Sequence, residues 1–153
     1  MVTQLSAEQI SRANLLGLQR FRNAKTKSLK DTLGTDSLRS HQIGARGEFA
    51  AAQALGYPEP VFNEDFGKAD LGGYIAVRCS DKWHCRLWVR PKDKPQYSYL
   101  LVTEKPGREY VLRGWLEGTK AKTYPLEDPG NYNKPIHRPP FLDLKDPKLL
   151  RNL

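Results

Sequence analysis

Asp70-Leu-Gly-Gly-Tyr-Ile-Ala-Val-Arg-Cys79 is where the chain's patterning changes from helical to strand-like. Its two glycines suit a tight turn. The residues after them alternate, so Tyr74, Ala76 and Arg78 share one face of a strand and Ile75, Val77 and Cys79 the other. Three further runs of the same character follow: His84 to Arg90, Tyr97 to Thr103 and Glu109 to Leu116. The breaks between them are Asp81-Lys82, Pro91-Lys-Asp-Lys-Pro95 and Pro106-Gly107. Such short connections predict antiparallel neighbours.

Upstream the period is helical. Ser6-Ala-Glu-Gln is a helix N-cap with an acid in the first turn, and Ile10, Ala13, Leu15, Leu16, Leu18 and Phe21 follow, which predicts a long helix from about Ser6 to Lys30. Arg20, Arg22, Lys25, Lys27 and Lys30 form a basic run in its later half, suited to a helix C-terminus or to a phosphate backbone. After the Gly34-Thr-Asp-Ser loop, a second helix is expected from Ser37 or Ser40 to Leu55, with Gly56 as its stop. Small residues at Gly44, Gly47, Ala50, Ala51 and Ala54 keep that helix slim, and Glu48, Ala52 and Leu55 share one of its faces.

The fold class is therefore α+β, an antiparallel or mixed meander sheet flanked by helices. The divisions read from the sequence are an N-terminal helical extension over 1–36, a core over 37–145 and a tail over 146–153. The stretch from Thr119 onward is rich in proline and should wrap irregularly over the body, anchored by Tyr124, Tyr132, Phe141, Leu142 and Leu144.

The chain has 153 residues, with 25 Lys and Arg against 17 Asp and Glu, a formal charge of +8. That excess favours a polyanionic partner, nucleic acid first. No run is long and apolar enough to span a membrane, and the start lacks a signal peptide's regions, so a cytoplasmic location is expected. Cys79, Cys85 and His84 raise zinc, but neither His41 nor His137 completes a recognised spacing; buried, reduced thiols are the better reading. Trp88 and Trp115 read as packing residues and Trp83, at a turn, as a nucleic-acid contact.

Phosphodiester hydrolysis needs a divalent cation held by hard oxygen ligands, a deprotonated water and positive charge on the phosphate. Glu48 on the slim helix, Asp70 before the strand and Arg78 on it supply two acids and a cation in that order. The order resembles the PD-(D/E)XK (restriction-endonuclease-like) nuclease superfamily, whose signature is a helix acid, an aspartate at the start of a hairpin and an acid-x-lysine on the following strand. The resemblance looks closest to small nuclease-like proteins of bacteriophages and mobile elements. It also draws on Leu87-Trp-Val-Arg-Pro-Lys-Asp93 and Gly114-Trp-Leu-Glu-Gly118, and covers about residues 40 to 145.

What the resemblance implies is a Mg²⁺- or Mn²⁺-dependent DNA endonuclease. Glu48 and Asp70 would be metal ligands, with the Val77 carbonyl as a third; Ala76 would stand at the second-acid position, and Arg78 in place of the lysine. Lys68 and Lys82 are further nucleic-acid contacts, with Lys92 and Lys94 as possible groove residues. Arginine keeps the charge and binds phosphate bidentately, but it is a poor proton shuttle. Ala76 leaves the metal one carboxylate short and points to an inactivated form. Three origins stand open: an experimental Glu→Ala change, migration of the acid to Glu64 or Asp65, or natural loss of catalysis. The alternative function is a non-catalytic nucleic-acid-binding or assembly protein on a degenerate nuclease scaffold. RNA is the second candidate substrate, and the long first helix offers a homodimer contact. For Glu48 itself the plain alternative is a surface glutamate paired with Arg46 or a nearby base.

Overall fold

The computed structural model describes residues 1–26, 37–62 and 68–152. Lys27, Lys30, Gly34, Glu64 and Asp65, singled out above, lie outside them.

The chain opens with strand β1 (Val2–Gln4), which the sequence reading left unassigned, and helix α1 (Ala7–Thr26). Ser6 caps α1: its Oγ accepts from the Gln9 N–H while Gln9 Oε1 accepts from the Ser6 N–H, a reciprocal box that satisfies two helix-end donors. Helix α2 (Leu38–Leu55) starts at Ser37, whose side chain accepts from Ser40, and stops at Gly56 in the left-handed conformation, φ 80°, as its sequence signals require.

Strands β2 (Ile75–Ser80), β3 (Ser98–Lys105) and β4 (Glu109–Glu117) complete a four-stranded sheet of order β1-β4-β3-β2. The pairs β3–β4 and β1–β4 are antiparallel, whereas β2 and β3 are parallel. The expected antiparallel partner of β2 over His84 to Arg90 does not form a strand. Leu87 and Val89 are fully buried, but in the second core cluster, with Ala76, Tyr99 and Leu101, so this segment crosses over one sheet face instead of joining its edge. The class is α+β, with a mixed sheet.

Side-chain alternation separates two cores. On one face Ile75, Val77, Leu100 and Val102 meet Ala45, Phe49 and Ala52 of α2 and Ala13 and Leu16 of α1. The N-terminal segment is part of this layer, since Leu5, Ala13 and Leu16 share its cluster. Close helix approach depends on Gly17, where a Cβ would lie 2.6 Å from Gln42 Cα, and on Gly47, where it would lie 2.4 Å from Cys79 Cβ.

The other face is covered by the crossover and by the C-terminal stretch. The latter holds a short helix α3 (Gly118–Ala121), a small hairpin of β5 (Leu126–Glu127) with β6 (Ile136–His137), and 3-10 turns at Phe141–Asp143 and Pro147–Leu150. Tyr124, Phe141 and Leu144 anchor it, while Leu150 reaches the helical core. Tyr132 and Leu142 do not: they are 60% and 97% exposed. Among the described residues no helix is long and apolar enough to cross a membrane.

Candidate functional site

Glu48 lies on the face of α2 turned inward and is 5% exposed. Its partner is Arg20 of α1, which donates Nη1 to Oε2 at 2.5 Å and Nη2 to Oε1 at 2.8 Å. The surface pairing with Arg46 is thereby corrected. Arg46 instead forks onto Glu104 of β3 at 2.7 and 2.9 Å, where Asn14 and Tyr110 complete a separate network. A bidentate guanidinium suits an ion pair out of water, because the fork satisfies both carboxylate oxygens at once. Burial alone would weaken the Arg20 charge; the Glu48 hydrogen bonds and charge outweigh it and hold the guanidinium more firmly protonated.

Asp70 enters from the other side. Gly72 and Gly73, at φ 59° and 79°, close a turn in which Leu71 bridges Ile75, and the Asp70 N–H donates to the Ile75 carbonyl at 2.8 Å. A side chain at Gly72 would meet the Tyr57 ring at 2.6 Å, so packing excludes it there as well as the backbone. The turn brings Asp70 Oδ2 to the Val77 N–H at 2.7 Å, on the outer edge of β2. A strand residue's N–H and C=O leave on the same side, so the Val77 carbonyl faces that edge too.

Asp70 as a residue is half-buried, yet its carboxyl group is packed among protein atoms. Burial first, and the Glu48 charge second, push it up to about 8, against the Val77 N–H, Arg20 and Arg78. Two carboxylates therefore act on one another with one guanidinium hydrogen-bonded to only the first. A cavity of about 430 Å³ opens beside Asp70, lined among others by Arg20, His41, Tyr57 and Lys68. The His41 ring stands edge-on to Phe21 with centroids 6.0 Å apart.

The other expected site residues are placed differently. Ala76 and Arg78 point to the sheet face opposite α2, Ala76 into the apolar cluster with Tyr99 and Leu101. Arg78 donates to Asp93 Oδ2 at 2.6 Å and to the Trp88 carbonyl at 3.3 Å, with its guanidinium 5.0 Å from the Tyr99 ring centre. It reaches Asp70 only through its field. Lys68 is exposed at the cavity rim, whereas Lys82 is exposed beyond the far end of β2, its N–H on Ser80 Oγ. Asp70, held by the Val77 backbone, and Lys68 thus meet at the cavity, with Glu48 near enough for its charge to act on Asp70, while Ala76, Arg78 and Lys82 lie apart from them.

Arg20 is the member that sequence reasoning missed. It was grouped with a basic run, but Ala13, Leu16, Gly17 and Ala24 are buried and Arg20 continues their three- and four-residue spacing. A charge on the core stripe of a helix was the available signal. Among the described residues, no group of three or more His, Cys, Asp or Glu is arranged to hold a metal ion. Cys79 packs against Gly47, and burial drives its thiol well above the ordinary range; Cys85 donates to the neighbouring Arg86 carbonyl.

No family model, curated protein or solved structure matches this chain.

Proposed function

We propose that this protein acts on nucleic acid, DNA first, as a metal-dependent phosphodiesterase of the endonuclease kind, with a site one carboxylate short. The observation that carries the reading is Asp70: a buried carboxyl group beside a second carboxylate, with no cation hydrogen-bonded to it among the described residues, at the wall of a cavity rimmed by Arg20, His41 and Lys68. A restriction-endonuclease-like core belongs to the same proposal. It is supported by the succession of helix acid, turn aspartate and edge strand.

Glu48, Asp70 and the Val77 carbonyl are hard oxygen donors of the kind Mg²⁺ or Mn²⁺ takes, one carboxylate fewer than the resemblance implies. When bound, such a cation supplies Lewis acidity and a deprotonated water. Arg20 orients the Glu48 carboxylate through both its oxygens. Lys68 and His41 stand where an incoming phosphate would pass.

The second reading, a non-catalytic nucleic-acid-binding or assembly protein, is favoured by the bidentate Arg20–Glu48 pair, which already neutralises one acid, and by the apolar seat of Ala76. Cleavage of plasmid, single-stranded DNA and RNA with Mg²⁺ or Mn²⁺ separates the two. The enzyme reading expects cleavage that requires the cation and that falls at least about tenfold in Asp70→Asn and in Glu48→Gln. Salt-sensitive binding that ignores EDTA, with no cleavage by the parent chain, transfers the case to the second reading.

A further inference from the structure

Beyond the far end of β2, Trp83 is 54% exposed at a turn and yet is held from several sides. The Arg113 guanidinium lies 3.7 Å from its ring centre and donates Nη1 to the Trp83 carbonyl at 2.8 Å and to Thr103 Oγ1 at 3.1 Å. The Phe141 ring lies 4.4 Å from the same guanidinium. Arg113 is aimed there by a β-bulge: Leu101 pairs with Gly114 and Val102 with Leu112, so Arg113 is the extra residue of β4. Gly114, at φ 152°, has no room for a side chain, since a Cβ would lie 2.5 Å from Leu144 Cβ. Bulges of this kind re-aim a side chain out of the sheet.

An indole that merely filled space would be buried. Here a bulge, a guanidinium and a phenyl ring fix the orientation of one that stays open to solvent. It borders a cavity of about 390 Å³ whose other lining residues are Asp81, Thr103, Glu104, Lys105 and Pro106. The acids there are already engaged, Asp81 by Arg39 and Glu104 by Arg46 and Tyr110. Lys105, with its Nζ 5.3 Å from the Trp83 ring centre and only a 3.8 Å exposed pair to Glu109, leaves the surface beside the indole cationic, and Lys82 adds to it.

We infer that Trp83 is a stacking platform for an unpaired base of single-stranded nucleic acid, with Lys105 and Lys82 taking the adjoining phosphates. A flat aromatic surface flanked by cations fits a planar base carrying an anionic backbone, and only an unpaired base offers its face. The Asp70 carboxyl is held at Val77 and the platform adjoins Thr103, the partner of Ser80, about 10 Å farther along β2 by strand rise; the two cavities share no lining residue, so the platform is a second site. It rests on the proposed nucleic-acid reading for the class of partner and is independent of catalysis.

The test is fluorescence anisotropy in EDTA with oligothymidylate and oligouridylate of about 16 nucleotides, the upper end of a single-strand site, and a duplex of equal length. Trp83→Ala should weaken binding to at least one of the single strands by about 5- to 30-fold, Trp83→Phe should restore most of it, and duplex affinity should stay within about twofold. Lys105→Ala should steepen neither loss beyond a uniform drop and should reduce the salt dependence. Equal affinity of parent and Trp83→Ala for both single strands, or equal loss on duplex, overturns the platform. If the parent binds no nucleic acid, the platform and the nucleic-acid reading fall together; if it binds through Trp83 but never cleaves, only the catalytic reading fails.

Discussion

Asp70→Asn should reverse part of the protein's dependence on pH. The Asp70 carboxyl is raised from 3.8 to about 8 in the folded chain. Between those values the folded state keeps a proton that the unfolded state has lost, so this group lowers stability as pH rises, by up to about 1.4 kcal/mol per pH unit. From pH 5 to pH 8 the ceiling is about 4 kcal/mol, a large share of a domain's total stability of about 5–15 kcal/mol. Asparagine has nearly the same shape, keeps a carbonyl oxygen for the Val77 N–H and cannot ionise. Urea denaturation of both chains at pH 5, 6, 7 and 8 measures the effect, and subtracting one chain from the other cancels every other titrating group. The expected result is a difference in favour of Asn that grows with pH, by about 1–4 kcal/mol across the range. A difference that is flat, or that shrinks as pH rises, refutes the reasoning that Asp70 is a strained, uncompensated carboxyl.

Removing Arg20 leaves Glu48 buried without its partner, so Arg20→Ala should lose about 3–5 kcal/mol in EDTA, and Mn²⁺ should raise its melting temperature more than that of the parent; equal shifts would separate Arg20 from the cation site. Gly47→Ala should cost about 1–3 kcal/mol by denaturant unfolding, because the new Cβ would meet Cys79 Cβ at 2.4 Å. Arg46→Leu should destabilise clearly, since it breaks a bidentate pair and strands Glu104, whose side chain is 18% exposed. Arg12→Leu, removing an exposed pair with Glu59, should leave the unfolding midpoint unchanged.

The helices were legible because their ends carry chemistry: Ser6, Ser37 and Gly56 are caps in the structure as in the sequence. The crossover was not. Leu87 and Val89 alternate as a strand would, but alternation reports which side chains are buried and not which backbone groups are paired, and here they bury without a ladder beyond the Val89–His137 bridge. A three-residue edge strand such as Val2–Gln4 is too short for any period to declare itself. At the candidate site, Glu48 and Asp70 were legible as residue types in order; that the charge of one bears on the other depends on how α2 packs against β2. Arg20 was hidden because a basic run near a helix end has an ordinary explanation, and only the burial of its neighbours on the stripe shows that it turns inward. The face of Ala76 and Arg78 relative to one another followed from alternation; that this face turns away from α2 depended on which side the helices pack.

Mn²⁺ binding, followed by loss of the free-ion electron paramagnetic resonance signal, decides whether Glu48 and Asp70 form one cation site. Uptake of Mn²⁺ should strengthen as pH rises through 8, as Asp70 gives up its proton, and should be lost in both Glu48→Gln and Asp70→Asn. Uptake unchanged by either substitution, or no uptake by the parent chain even above pH 8, would contradict a shared cation site.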